Sequence, residues 1–234
     1  MASSTEPDHA RGDQGPTLTA AICTRERPRG LERALESLDS QRNPPAQVVV
    51  VENAPRPLEA NRAVLAAYPE VHHVLEPRQG LDFARNRALG EARGDVVAFL
   101  DDDVVLDPGW SGALRRAFRE HPDVGLCTGR VKALALETPG QRLFEANGGY
   151  DRGPEPVVLP APGRARLGRL PAPAIAWAVS VGNGSSLAVR RKLALELGGF
   201  AQGLDLGPFL PAGGDHDLLW RVLCAGHRVR YEPE

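Results

Sequence analysis

Lysine is nearly missing: Lys132 and Lys192 are the only two, and arginine carries almost all of the positive charge. Together with the abundance of alanine, this reflects genome composition more than mechanism. No excess of positive charge exists either. The formal net charge is −2 and the isoelectric point is near 6.3, so nothing draws the chain to nucleic acid or acidic membrane in general, and any handling of phosphate must be local. Cysteine is sparse, with Cys23, Cys127 and Cys224 far apart and each in apolar surroundings. That is the setting of buried free thiols and fits a reducing cytoplasm. Long apolar runs are lacking: none approaches a membrane span, and the N-terminus shows neither a basic n-region nor an h-region. A cytoplasmic protein without a transmembrane segment is the expectation.

What is present is an ordinary globular mixture, 42% hydrophobic and 25% charged over 234 residues. That is enough for one large α/β domain. Residues 1–15 are polar, small and aperiodic and read as a disordered leader. Residues 16–234 read as a single domain.

The chain is organised around Asp95-Val96-Val97-Ala98-Phe99-Leu100-Asp101-Asp102-Asp103. An unbroken apolar run between Gly94 and three carboxylates predicts a short, fully buried strand, most simply the centre of a parallel sheet. Open α/β sheets bind ligands beyond the carboxyl ends of their strands. Three short carboxylates there would suit a hard cation such as Mg²⁺ or Mn²⁺. A single Asp after a strand more often caps a turn, but three in a row repel one another unless something cationic lies between them.

Upstream, Leu18 to Cys23 reads as a strand, followed by Thr24-Arg25-Glu26-Arg27-Pro28 and a helix with Leu31, Ala34, Leu35 and Leu38 on one face. Gln47 to Val51 is a second strand closed by Glu52-Asn53, Leu58 to Tyr68 a second helix, and Val71 to Leu75 a third strand. Gly80 opens a helix carrying Leu81, Ala84, Ala88 and Leu89. This alternation is the pattern of parallel βαβ units. Downstream, Trp110 to His121 predicts a helix and Val124 to Val131 a strand. Glu137 to Pro173, rich in Pro and Gly with Arg164, Arg166 and Arg169, is expected to be a lid or mobile loop. Trp177 to Val181, the turn Gly182 to Ser186 and a helix from Arg190 to Leu197 stopped by Gly198-Gly199 follow. The loop Gly203 to Gly214 delivers Asp215-His216-Asp217 to a helix burying Leu218, Leu219, Val222 and Leu223, and Arg228 to Tyr231 closes as a strand.

Cys23-Thr24-Arg25, Val51-Glu52-Asn53, Gly80-Leu81 with Ala84-Arg85-Asn86, the Asp101-Asp102-Asp103 turn, Gly198-Gly199-Phe200, and Gly214-Asp215-His216-Asp217-Leu218 with Arg221 stand in an order that resembles family 2 glycosyltransferases, from Thr17 to Tyr231. The resemblance implies the GT-A fold: a mostly parallel, mixed sheet flanked by helices, with a Rossmann-like nucleotide-binding half over about 16–106 and an acceptor-binding half over about 107–234. It implies a metal-dependent, inverting transfer of a sugar from a nucleoside-diphosphate sugar to an acceptor hydroxyl, of hexosyltransferase type, with Mg²⁺ or Mn²⁺. Carried over by position, Thr24 and Arg25 would line the nucleotide pocket and Arg78 would contact the donor. Glu52 would stand at the nucleobase or ribose, where the family usually has Asp. Asp101 would meet the ribose side, Asp102 would belong to the donor-contacting set, Asp103 would hold the metal, and Asp215 would be the general base.

As an ionised carboxylate only accepts hydrogen bonds, Glu52 at a base edge would favour UDP, dTDP or GDP donors. Departures from the family pattern fall at Glu26, Ala201 and Gly214, and the family usually continues past this last strand into a segment whose His can complete the metal shell.

Blander roles stand beside these. Asp217 and Arg221, spaced i,i+4, could be a helix-surface ion pair, Glu52 and Asp215 could be caps, His216 reads as an exposed first-turn residue, and His72, His73 and His227 show no metal-ligand spacing. Among other enzymes, a haloacid-dehalogenase-type phosphatase also ends a strand in Asp-x-Asp, but near its start and with a downstream catalytic lysine. A sugar-nucleotide pyrophosphorylase would need a Gly-rich loop after its first strand, where this chain has only Gly30 nearby. A catalytically inactive nucleotide-sugar-binding protein is the alternative outside enzymes, and turnover separates it from the rest.

Overall fold

The computed structural model describes residues 15–159, 184–204 and 213–234. The expected leader up to residue 14, Arg164, Arg166 and Arg169, the Trp177 to Val181 run and most of the Gly203 to Gly214 loop lie outside the described residues.

The first half alternates strand and helix: β1 (Leu18–Thr24), α1 (Pro28–Asp39), β2 (Gln47–Glu52), α2 (Glu59–Leu65), β3 (His72–Leu75), α3 (Leu81–Glu91) and β4 (Val96–Asp101). Then come α4 (Trp110–Glu120), β5 (Val124–Gly129), α5 (Pro139–Ala146), β6 (Val157–Leu159), β7 (Ser186–Arg190), α6 (Arg191–Glu196), α7 (Gly214–Cys224) and β8 (Arg228–Glu232). They form an eight-stranded sheet in the order β3-β2-β1-β4-β7-β5-β8-β6. The strands β3, β2, β1 and β4 run parallel to their neighbours, with Ile22 opposite both Val50 and Leu100. The expected centre of a parallel sheet is thus half right. β4 is central and its apolar run is buried, but on its other side it pairs antiparallel with β7, Phe99 opposite Leu187.

Helices cover both faces because β4 and its neighbours are apolar on both. One face packs Ala20, Ile22, Val50, Ala98 and Leu100 against Leu31, Ala34, Leu35 and Leu38 of α1 and Leu114, Ala117 and Phe118 of α4. The other packs Ala21, Val49, Val97 and Phe99 against Ala84, Ala88 and Leu89 of α3 and Leu218, Leu219, Val222 and Leu223 of α7. The burial of these helix faces at i, i+3, i+4 spacing is what the periodicity predicts. Pro28 at the start of α1 costs nothing, since the first-turn N–H has no helical partner.

The second helix is shorter than expected, Glu59–Leu65, and Asn61 is its one buried residue. The Glu137 to Pro173 stretch, expected to be a lid or mobile loop, carries regular structure in the part described. Its described part holds α5 and β6, and Pro139 lies in the first helical turn. Thr138 caps that turn: its hydroxyl accepts from the Gln141 N–H at 3.2 Å, while Gln141 Oε1 accepts from the Thr138 N–H at 2.8 Å. Arg130 grips Asp151 through two hydrogen bonds of 2.8 and 2.9 Å, and the Tyr231 hydroxyl donates to the Gly153 carbonyl at 2.8 Å, tying the segment back to β8.

Candidate active site

The parallel register brings the ends of β1, β2 and β4 to one edge, with Thr24 opposite Glu52 and Cys23 opposite Asp101. A cleft of about 410 Å³ opens there, lined by Thr24, Arg25, Arg27, Asp101 and Asp102, with Asn53, Gln79, Gly80 and Leu81 opposite. A larger hollow of about 780 Å³ lies at the other end of the sheet, beside Thr17 and Arg115, and contains none of the predicted site residues.

The acidic turn is distributed rather than pooled. Asp101 Oδ2 accepts from the Ser185 hydroxyl at 2.7 Å. Asp102 is buried, and its Oδ2 accepts from the Thr24 hydroxyl at 2.7 Å while Arg27 Nη1 lies 3.3 Å from Oδ1. Burial raises the Asp102 pKa above its ordinary value, against the Thr24 hydroxyl and the Arg27 charge, which pull it down, and with the Asp103 charge, which adds to it. Asp103 is 54% exposed, and Arg27 Nη1 reaches it at 3.1 Å. The cation demanded by three adjacent carboxylates is therefore supplied by the chain itself, from a turn in which Glu26 adopts a positive φ of 57°. Gly30 lets α1 approach: a Cβ there would lie 2.7 Å from the Asp102 carbonyl oxygen. Among the described residues no three His, Cys, Asp or Glu side chains are grouped to hold a metal ion. The pooled three-carboxylate site is thereby corrected. The exposed carboxylate of Asp103, with Asp101 on the same turn, still offers the one or two hard oxygen donors that Mg²⁺ or Mn²⁺ takes when phosphate oxygens complete its shell. In that sense the residues fit such an ion.

Glu52 is fully buried. Its Oε1 accepts from the Leu58 N–H and Asn61 Nδ2, both at 2.9 Å, and its Oε2 lies 3.1 Å from His73 Nε2. The carboxylate organises the loop into α2 instead of facing the cleft. Asn53, beside it, accepts from the Gly80 N–H at 3.0 Å and donates to the Glu76 and Arg78 carbonyls at 3.0 and 2.7 Å, holding the cleft's far wall. Gln79 and Gly80 reach the cleft, whereas the Arg78 guanidinium, 59% exposed, is turned to Glu76 in a two-bond pair of 2.9 Å contacts and lies 4.6 Å over the Phe83 ring. Cys23 also lines the cleft, but burial pushes its thiol up to about 12, so it stays protonated.

Asp215 lies in the first turn of α7, with its side chain 16% exposed. Its Oδ1 accepts from the His216 N–H at 2.8 Å, with His216 Nδ1 3.2 Å away. A Cβ on Gly184 would lie 2.8 Å from both Asp215 Oδ2 and Arg85 Nη2. Burial pushes the Asp215 pKa up, but the His216 hydrogen bonds and the charges of His216 and Arg85 outweigh it and hold the carboxyl at about 2. Asp217 is not part of this group. It pairs with Arg221 at 2.6 Å, and Arg221 also donates to the Leu197 and Gly199 carbonyls, capping the end of α6.

Two participants escaped the sequence reading. Arg27 was visible as the second arginine of the Thr24 to Pro28 turn. Ser185 had no signal beyond its Gly-Asn-Gly-Ser setting, because its partner lies 84 residues away.

Comparison with known proteins gives the family of this chain. The sequence model of glycosyl transferase family 2 matches residues 19–168. The chain belongs to this family. A pre-mycofactocin glycosyltransferase of Mycobacterium tuberculosis is 32% identical over 231 residues, covering 96% of this chain and 43% of that protein. The succinoglycan biosynthesis protein ExoM of Rhizobium meliloti is 28% identical over 226 residues, 93% of this chain and 64% of its own. The chain thus spans less than two thirds of the length of either relative. Among solved structures, the mannosyltransferase PcManGT from Pyrobaculum calidifontis, in complex with GDP-Man and Mn²⁺, superposes with a TM-score of 0.62 at 19% identity, over 95% of this chain and 56% of that one. Staphylococcus aureus TarS 1-349 in complex with UDP-GlcNAc gives 0.65 at 15% identity, over 93% and 56%. At these identities the likeness is one of fold, and the fold is the GT-A architecture of family 2 glycosyltransferases. Among the described residues, no helix is long and apolar enough to cross a membrane.

Proposed function

We propose that this family 2 glycosyltransferase moves a hexose from a nucleoside-diphosphate sugar to an acceptor hydroxyl with inversion, using Mg²⁺ or Mn²⁺. One observation carries the reading. Ser185 donates to Asp101, and on the residue before it, Gly184, a Cβ would lie 2.8 Å from Asp215 Oδ2, so the carboxylate suited to act as base stands close to the acidic turn of the cleft. The division into a nucleotide-binding half and an acceptor-binding half follows the same line, with Asp101 on one side and Asp215 on the other.

In this reading Thr24, Arg25, Asp101 and Asp102 line the nucleotide's pocket. Asp102 is fixed by Thr24 and Arg27 and acts through the shape of the turn. Asp103 supplies a metal ligand, and a divalent ion bound there would neutralise the diphosphate leaving group as a Lewis acid. Asp215 Oδ2 accepts the proton of the acceptor hydroxyl, so that a single base on the face opposite the leaving group gives inversion. Arg78 and Glu52 frame the pocket from outside, Arg78 through the loop before Gly80 and Glu52 through the loop before α2.

The test is a thermal-shift panel of UDP-, dTDP-, GDP-, CDP- and ADP-sugars with and without Mn²⁺, followed by assay of nucleoside-diphosphate release. Ligand that binds the folded state raises its apparent stability by mass action. Metal-dependent stabilisation by one donor class together with release of its nucleotide is expected. Stabilisation without release would favour a binding protein, and no stabilisation by any sugar nucleotide would overturn the proposal.

A further inference from the structure

Behind Asp215 lies a compact group of buried charges that the proposed transfer does not by itself require. Arg85, on α3, has only 7% of its side chain exposed and donates from Nη1 to Asp82 Oδ1 at 3.2 Å, and Asp82 is 1% exposed. The guanidinium also lies 5.3 Å over the Phe200 ring. That ring is itself fixed, edge-on to Phe99 of β4 at 4.9 Å, with its backbone gripped by Asn86 through bonds of 2.7 and 2.8 Å. An arginine held by a carboxylate on one side and an aromatic face on another has little rotamer freedom left.

Two glycines let α7 close onto this group. A Cβ on Gly214 would overlap the Asp82 carboxylate, so the first turn of α7 abuts Asp82 directly. A Cβ on Gly184 would be 2.8 Å from Arg85 Nη2 and equally close to Asp215 Oδ2, so the two groups face each other across a residue that has no side chain. We propose that Arg85 is a positioning residue for Asp215: anchored by Asp82 and Phe200, its guanidinium fixes where the carboxylate points and keeps it charged. This rests on the reading of Asp215 as the base, but it can be tested apart from it.

Among the described residues, the charged groups facing Asp215 are Arg85 from α3 and His216 from its own helix, with Asp82 behind Arg85. Their contributions differ in kind. Burial alone disfavours the charged carboxylate, and a neutral acid cannot take a proton from an acceptor. The ring of His216 helps only while protonated, whereas arginine keeps its charge at every pH the enzyme meets. Arg85 is therefore the support that does not fade as pH rises. It is also the one whose distance from Asp215 is set by Gly184.

The experiment is NMR titration of the full-length chain labelled with ¹³C-aspartate, the Asp215 signal being assigned by its loss in Asp215→Asn. Arg85→Gln should raise the Asp215 midpoint, the direction expected when an opposite charge at close range is lost. Arg85→Lys should restore part of that, having the charge without the planar fork. Gly184→Ala keeps both charged groups but forces them apart, since a methyl there would lie 2.8 Å from each. It should move the midpoint upward as well, and it decides the matter if Arg85→Gln does not fold. An Asp215 midpoint unmoved in folded Arg85→Gln, or in Gly184→Ala, overturns the role of Arg85 whatever the transfer assay gives. A midpoint that moves while Asp215→Asn still transfers sugar at the normal rate upholds Arg85's hold on the carboxylate and removes only the base assignment.

Discussion

Arg27 Nη1 lies 3.3 Å from the Asp102 carboxylate and 3.1 Å from that of Asp103. One guanidinium from the turn after β1 thus spans two neighbouring acids at the end of β4. The consequence is a division of labour within the acidic turn: Asp102 is packed inward and Asp103 is left facing solvent.

The inward member should matter for stability. Thr24→Val keeps the shape of the side chain but deprives buried Asp102 of its 2.7 Å hydrogen bond. Leaving a buried acceptor without that partner costs about 1–3 kcal/mol. Urea unfolding at neutral pH should show a midpoint lowered accordingly, and an unchanged midpoint would mean that water replaces the hydroxyl.

The outward member should matter for metal. Asp103→Asn should leave the fold intact and abolish most of the gain in nucleotide affinity produced by Mn²⁺, because the ion takes its other ligands from phosphate and water. Calorimetric titration with and without Mn²⁺ reads this directly. Full metal-dependent affinity in the variant would remove Asp103 from the site.

Glu52 is expected to behave as a scaffold. With both oxygens engaged by Leu58, Asn61 and His73, Glu52→Ala should destabilise the fold by about 1–3 kcal/mol. In Glu52→Gln, discrimination among nucleotides should be unchanged. A selective loss of UDP or GDP affinity in Glu52→Gln would instead return this side chain to the nucleobase.

Arg221 should act in the same structural way. It serves Asp217 and the carbonyls of Leu197 and Gly199. Arg221→Ala should therefore lower stability by on the order of 2 kcal/mol, while donor binding in the surviving folded fraction is unaffected.

Asp215→Asn should keep nucleotide affinity and lose transfer by about 10²–10⁴-fold. Its effect on stability depends on pH in a defined direction. The folded state holds the carboxyl at about 2 against an ordinary value of 3.8, so the unfolded chain binds the proton more readily. The stabilisation from Asp215 is then complete above about pH 4 and disappears as pH falls from there through 2. Unfolding midpoints between pH 5 and 2.5 should fall less steeply in Asp215→Asn than in the parent chain, and equal slopes would contradict the depressed pKa.

Much of this could be read before any coordinates, and the exceptions have physical reasons. The run from Val96 to Leu100 announces a doubly buried strand because it is apolar on every face, too short for a buried helix and bounded by Gly94 and three carboxylates, and the Leu31 to Leu38 stripe announces its covering helix. The acidic turn is visible as three letters, but not its division, since the cation beside it comes from 75 residues earlier. Glu52 looks like a ligand because a carboxylate at a strand end usually faces the cleft. Its three donors come from a loop, a helix and a neighbouring strand, whose convergence no local pattern encodes. The helix after Thr138 had a readable signal, Thr-Pro-Gly-Gln, which is a capping box with Pro in the first turn, overshadowed by the Pro and Gly count of the whole stretch. The antiparallel direction of β7 leaves no mark on its own five residues.

That insertion of β7 between β4 and β5 bears on how the protein comes into being. A chain emerging from the ribosome up to β5 holds all the parallel strands of the first half, with their acids and arginines, yet neither Ser185 nor Asp215 exists to meet them. In the finished sheet β4 and β5 meet only through β7, which pairs antiparallel with both. Unpaired edges of buried, apolar strands are where nascent chains aggregate. The strand that joins β4 to β5 begins directly after Ser185, so the same piece of chain that completes the sheet also brings Ser185 to Asp101.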